Sequence, residues 1–210
     1  MALSDFQRAL SEMTVSPNLA ARVRAEGERP LAAYDLTPRE RARLVAVARH
    51  PGMDLNCTLA RGNRFGPIVD VLPLTCTLLK PWLRELLEEL WQIKRPGNYQ
   101  LSGEEHAFAA FLQAKLAGGE LSHPYLAEVL EYELASWALV QSLRHTSAGD
   151  EPQPGGEPFR LVHFSHDPAL LLPPLEAGAL PPDGLPGGRY PVRVTLRGDT
   201  LVVEHEAPGW

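Results

Sequence analysis

A segment without apolar periodicity interrupts this chain at residues 146–158. It reads TSAGDEPQPGGEP, and its proline, glycine and charged residues are typical of an exposed linker. Before it, apolar residues recur at helical spacing, whereas after it β-branched and aromatic residues become frequent. The sequence therefore predicts an α+β chain, with a mainly helical domain at 1–145, a linker at 146–158 and a small three-stranded α/β element at 159–210.

Local signals mark where helices of the first part begin and break. Thr37 can cap the amide of Glu40 and Glu40 can return the bond, while Pro38 presets the first helical φ. Further along, a helical segment over 55–64 is expected to stop before Gly66-Pro67. The apolar stretch that follows is expected to be a helix kinked or split at Pro73, because proline has no amide donor.

The last part of the chain contains a hairpin whose register follows from its side chains. With Gly198-Asp199 at a two-residue turn, Leu196 faces Leu201, Val194 faces Val203 and Arg193 faces Glu204. This places two apolar pairs on one face and an opposite-charge pair on the other. A shift by one residue would mix the two faces, so the pattern predicts a single register.

Charge and composition exclude several function classes. The formal charge is −6 and the pI is near 5.6, so the chain has no basic field for generic nucleic-acid binding. Charged residues, glycine or proline interrupt every apolar run before membrane-spanning length, and no signal segment is recognised at the start, so a soluble protein without a membrane partner is expected. Cys57 and Cys76 form no metal-type pair and indicate no disulfide scaffold, so the cytoplasm is the expected compartment and both are expected to be buried small residues.

Candidate chemistry is sparse. His163 and His166 are the densest set of potential metal ligands, and His205 could join them if its strand lies near. Positions i and i+3 of a strand point to opposite faces, however, so no metal site is assigned. The glutamate pairs 104/105 and 131/133 do not share a helix face and are expected to be solvated. No nucleophile elbow, zinc-protease helix, nucleotide-binding glycine loop or kinase string occurs, so no catalytic residue is assigned.

The segment PYLAEVLEYELA at 124–135 resembles the "PYLAxLAxLExA" helix of a family of helical proteins that carries a DNA-binding-domain name. Members of that family are encoded beside multinuclear non-haem iron oxidative enzymes that modify ribosomally made peptides. The order of helical domain, linker and β element beginning FRLVHFSHD at 159–167 is also similar to the small subunit of methanobactin synthase. At 36–41, LTPRER is similar to the small helical subunit of extradiol ring-cleavage dioxygenases.

These resemblances imply an accessory subunit that captures a precursor peptide and docks on a catalytic multinuclear iron subunit in a heterodimer. Iron would belong to that partner, with no cofactor in this chain. The family's DNA-binding name conflicts with the charge of −6 and is not carried over. The open edges expected for a small sheet suit the binding of a leader peptide as an added strand.

The sequence thus gives two sets of site residues and leaves two other functions open. The alternatives are a stand-alone metal-dependent enzyme that uses the His163/His166 cluster and a regulatory helical interaction module. Leader-peptide binding is assigned to Leu161, His163, Val192, Arg193, Val194 and Thr195. Docking on the enzyme partner is assigned to Arg61, Arg64, Tyr125 and Glu133.

Overall fold

A computed structural model describes residues 2–93, 103–145, 157–198 and 200–205. Helices occupy most of the chain up to residue 145, and a three-stranded antiparallel sheet follows, so the predicted α+β class is confirmed. The helices are Ala2–Val15 (α1), Pro17–Glu26 (α2), Pro38–Arg49 (α3), Gly52–Val71 (α4), Pro73–Leu78 (α5), Leu83–Ile93 (α6), Glu104–Ala117 (α7), Leu126–His145 (α8) and Pro168–Glu176 (α9), with a short 3₁₀ helix at Arg29–Ala33. The strands are Phe159–His166 (β1), Gly187–Arg197 (β2) and Thr200–His205 (β3).

The chain divides into two compact units. One comprises Met1–Pro67 and Trp91–Ser102, and the other comprises Ile68–Leu90 and Gly103–Trp210. The sheet belongs to the second unit together with α5, α7, α8 and α9. This division does not coincide with the predicted one into 1–145 and 159–210, and most of the predicted linker lies outside the described residues.

Helix ends in the first unit follow the capping rules. Thr37 accepts a bond from the Glu40 amide, and the Glu40 carboxylate accepts one from the Thr37 amide at 2.8 Å, which confirms the predicted capping box. Its core is built from fully buried side chains of α1, α2, the 3₁₀ helix and α3, among them Met13, Val23, Leu31 and Leu44. Burial of these apolar groups holds the short helices together.

Prolines act differently at the two predicted helix breaks. At Pro73 the prediction is confirmed, since α4 ends at Val71 and α5 begins at Pro73. At Gly66-Pro67 it is wrong, because α4 continues through Pro67 to Val71. Among the described residues, no helix combines the length and the apolar character needed to cross a membrane.

In the second unit, α8 packs on one face of the sheet. Val162, Phe164, Val192 and Val194 are buried on that face, and the Tyr132 ring of α8 lies 5.9 Å from the Phe164 ring. Because side chains alternate along a strand, these residues turn to α8 and their neighbours turn to the opposite, outer face. The α8 helix thus fixes which residues of the strands form the outer face.

The hairpin of β2 and β3 has the predicted register. Leu196 pairs with Leu201, Val194 with Val203, and Arg193 with Glu204. Gly198 has a φ of 64°, as a two-residue hairpin turn requires, whereas Asp199 lies outside the described residues. The strand β1 pairs with the other side of β2, so the order in the sheet is β1-β2-β3.

Candidate functional site

The strand order corrects four of the predicted peptide-binding positions. Val192, Arg193, Val194 and Thr195 lie on β2, which is the central strand and pairs with both β1 and β3. Their backbone groups are used inside the sheet, so they cannot receive an added strand. Within the described chain, the edges of the sheet belong to β1 and β3.

One hydrogen bond establishes which groups of β1 face outward. The Leu196 amide donates to the Pro158 carbonyl at 3.0 Å. Hydrogen-bonded pairs alternate along an antiparallel ladder, so even-numbered residues of β1 bond to β2. The amides and carbonyls of Phe159, Leu161 and His163 therefore point away from β2, which places the two predicted β1 residues at the open edge.

The same alternation applies to β3. Even-numbered residues of β2 bond to β1, so its odd-numbered residues bond to β3, as the two-residue turn also requires. Thr200, Val202 and Glu204 consequently bond to β2. The backbone groups of Leu201 and Val203 point outward and form the edge of the sheet opposite to β1.

Apolar side chains flank the β1 edge on the outer face of the sheet. Phe159 is 47% exposed and Leu161 is 42% exposed. The Arg193 guanidinium lies 4.0 Å from the centre of the Phe159 ring, a cation–π contact that holds both groups on this face. The edge therefore combines outward backbone groups with apolar surface beside them.

A carboxylate from α8 closes one end of this edge. The pairing register shifts between Phe164 and His166, and Ser165 falls within the shift. Glu128 accepts a bond from the Ser165 amide at 2.6 Å, and its other oxygen lies 2.8 Å from Nδ1 of His166. The outward amides at positions 159, 161 and 163 can therefore donate to an added strand. The next outward amide, that of Ser165, already donates to Glu128.

Tyr125 supports this end of the sheet from within the same unit. Its ring meets the His166 ring edge-on at 4.8 Å, and its hydroxyl donates to the Pro182 carbonyl and accepts from the Leu185 amide. The side chain is buried. Tyr125 was predicted at a partner interface, whereas in the structure its hydroxyl and its ring both make contacts inside the chain.

Glu133 is likewise internal rather than part of a docking surface. Its oxygens accept bonds from the Leu74 amide at 2.6 Å and the Thr75 amide at 2.8 Å, in the first turn of α5. Burial raises the pKa of this carboxyl from its ordinary value of 4.5 to about 7, against the lowering effect of the Thr75 and Leu74 hydrogen bonds. Glu133 therefore acts as a remote cap for α5.

The expectation of solvated glutamate pairs is wrong for three of the four residues. Glu104, Glu105 and Glu133 are buried, whereas Glu131 is exposed. Glu105 accepts a bond from the Gly103 amide at the start of α7 and lies 3.0 Å from Nδ1 of His106. Hydrogen bonds from backbone amides offset the cost of burying Glu105 and Glu133.

The two arginines predicted to dock on a partner are also largely enclosed. Arg64 is 2% exposed, and its guanidinium lies 4.9 Å from the centre of the Trp91 ring in the same unit. Arg61 is half-buried. Arg64, predicted to dock on a partner, is thus enclosed by its own unit, and Arg61 is the more exposed of the two.

His163 and His166 do not converge on a metal site. His163 is exposed, whereas His166 is partly buried against Glu128, and the side chain of His205 lies outside the described residues. No group of three or more His, Cys, Asp or Glu residues suited to a metal occurs in the described ranges. The described residues therefore supply no set of metal ligands for the alternative of a metal-dependent enzyme built on His163 and His166.

Both cysteines are buried, as predicted. Burial raises the pKa of the Cys57 thiol, and burial together with the charge of Glu133 raises that of Cys76 to about 12. A thiol is a poor nucleophile in this state, because the thiolate is the reactive form. These residues therefore pack the interior of their units.

Sequence reasoning missed Glu128, which the structure places at the end of the β1 edge. One signal was present, since Glu128 lies between Leu126, Val129 and Leu130, which are all buried in α8. A carboxylate at such a position needs an internal partner. The amide of Ser165, which points away from β2, is that partner.

We compared the chain with protein-family models, with curated proteins and with solved structures, and none of the three comparisons gave a match.

Proposed function

We propose that this chain is an accessory protein that binds an extended peptide at the β1 edge and presents it to a separate oxidative enzyme. The observation that carries the proposal is the edge itself, where three alternate residues of β1 direct backbone groups away from the sheet. A peptide added there gains a ladder of main-chain hydrogen bonds. Of the residues predicted to bind the peptide, Leu161 and His163 lie on this edge and are proposed to bind it.

The second part of the proposal concerns the enzyme that receives the peptide. It rests on the resemblance of the 124–135 helix and of the order of parts to partner proteins of multinuclear iron oxidative enzymes. In this proposal the iron belongs to the partner, the complex is a heterodimer, and the bound peptide is a ribosomal precursor. The cytoplasm remains the proposed compartment.

A search for the peptide comes first in the test. The tagged chain is purified from its native producer, short peptides in the eluate are identified by mass spectrometry, and the recovered peptide is synthesised and titrated against the pure chain. The same eluate is examined for an iron-bearing protein. A precursor-like peptide that binds the pure chain supports the first part of the proposal, and recovery of the iron protein supports the second.

Proline at the open edge gives the sharpest mutational prediction. Leu161→Pro removes an outward amide without removing a bond to β2, so the sheet keeps its ladder. We expect peptide affinity to fall about thirtyfold, because one main-chain bond is lost and a peptide carbonyl is left without a donor. Isothermal titration calorimetry measures the change.

Val203→Pro is the matched control, since it removes an outward amide from the opposite edge. We expect this variant to bind the peptide with unchanged affinity and both variants to retain the circular dichroism of the parent. Equal losses in the two variants, or no loss in Leu161→Pro, would contradict binding at β1.

A further inference from the structure

The sheet is basic, although the chain as a whole is acidic. Its three strands carry four arginines and a single carboxylate, Glu204, in a protein with a formal charge of −6. Arg197 is engaged by Glu157 at 2.9 Å and by Glu204 at 2.8 Å. The positive charge of the strands therefore exceeds what their own carboxylates offset.

Three of these arginines have no carboxylate partner within the described part of the chain: Arg160, Arg189 and Arg193. Arg160 is exposed on the edge strand itself. The guanidinium of Arg193 lies over the Phe159 ring, and its buried Nε finds no acceptor among the described residues. Uncompensated positive charge thus lies at the edge where a strand can add.

Side chains of β1 alternate between the two faces of the sheet, so successive residues of an added strand lie beside different kinds of side chain. Residues directly opposite each other in a sheet place their side chains on the same face. A peptide residue opposite Phe159 or Leu161 meets exposed apolar surface on the outer face, whereas the residue between them lies opposite Arg160. This holds for either direction of the added strand.

We infer that the β1 edge selects an extended peptide in which apolar residues alternate with acidic ones, with an acidic side chain opposite Arg160. The inference deepens the proposed function and rests on it. A second copy of the chain is a poorer occupant, because pairing β1 with β1 would bring Arg160 of each copy to the same edge, where like charges repel. An acidic peptide is the better occupant because its negative side chains complement the positive charge of Arg160.

The test uses three short capped synthetic peptides and the full chain. The first alternates valine with glutamate, the second alternates valine with lysine, and the third has the composition of the first with its glutamates in one block. We expect the first to bind about tenfold more tightly than either of the others at low salt, with the advantage shrinking as salt is added. Fluorescence anisotropy of labelled peptides measures all three.

Charge reversal at the edge provides the matched variants. Arg160→Glu is expected to lose the preference for the glutamate peptide or to reverse it, whereas Arg49→Glu, at an exposed position of α3, changes the net charge equally and is expected to keep it. An unchanged preference in Arg160→Glu would overturn the inference.

The outcomes separate this inference from the proposed function. If the lysine peptide binds as tightly as the glutamate peptide and Leu161→Pro weakens both, strand addition holds and the acidic preference is wrong. If no alternating peptide and no recovered precursor binds, both fail. If sedimentation shows a dimer that Leu161→Pro converts to a monomer, a second copy occupies the edge and the inference is overturned.

Discussion

Replacing Glu133 with alanine is expected to lower the free energy of unfolding by about 4 kcal/mol. The Glu133 carboxyl group caps the first turn of α5, where Pro73 has no amide and the amides of Leu74 and Thr75 have no intrahelical acceptor. Leu72, the residue before α5, supplies no side-chain cap. Alanine would leave two buried donors without acceptors and a small cavity beside them.

Glu131→Ala is the control for this variant, because Glu131 lies on the same helix but is exposed. It is expected to change stability by less than about 0.5 kcal/mol. Urea unfolding near pH 6, followed by circular dichroism, compares the two variants with the parent. Similar small losses in both would show that Glu133 does not cap α5.

The stability that Glu133 confers is also expected to depend on pH. Its pKa rises from 4.5 in an unfolded chain to about 7 in the folded protein, chiefly because the carboxyl is buried. Between these values the folded state holds a proton that the unfolded state has released. The free energy of unfolding should therefore fall by about 3 kcal/mol as the pH rises from 4.5 through 7, and then level off.

A comparison with Glu133→Gln isolates this effect from other titrating groups. Glutamine retains an acceptor and does not ionise. The difference in unfolding free energy between parent and variant should therefore change with pH as Glu133 titrates. The neighbouring thiol of Cys76, with a pKa of about 12, remains protonated throughout this range. A difference that stays constant from pH 4.5 to 8 would contradict the assignment.

Local features of the fold could be predicted from the sequence because their determinants are adjacent in the chain. The Thr37 capping box depends on residues three apart, and the hairpin register depends on side chains within a few positions of its turn. Both predictions are confirmed. The break at Pro73 is confirmed for the same reason, since proline acts on its own turn of helix.

The position of the sheet edge could not be predicted in this way. The hairpin alone leaves the outer sides of both β2 and β3 open. The strand β1, which is joined to β2 through a connection that includes α9, pairs with the outer side of β2. That pairing removed Val192 to Thr195 from the candidate edge and left Leu161 and His163 on it. The outcome depends on contacts distant in sequence, which periodicity does not reveal.

The buried carboxylates were unpredictable for a related reason. Glu128 and Glu133 look like ordinary helix glutamates, but each accepts bonds from backbone amides remote in sequence, at Ser165 and at Leu74 and Thr75. Tertiary contacts, rather than helix periodicity, decide that such groups are buried. The same applies to Tyr125, whose hydroxyl bonds to residues near 182 and 185.

Hydrogen exchange of individual amides tests strand addition at β1 most directly. Exchange is followed by NMR for the chain alone and for the chain saturated with the recovered precursor peptide. We expect the outward amides of Phe159, Leu161 and His163 to exchange about tenfold more slowly in the complex, because they then donate to the peptide, while those of Leu201 and Val203 remain unchanged. Protection of Leu201 and Val203 instead, or none at either edge, would contradict the account.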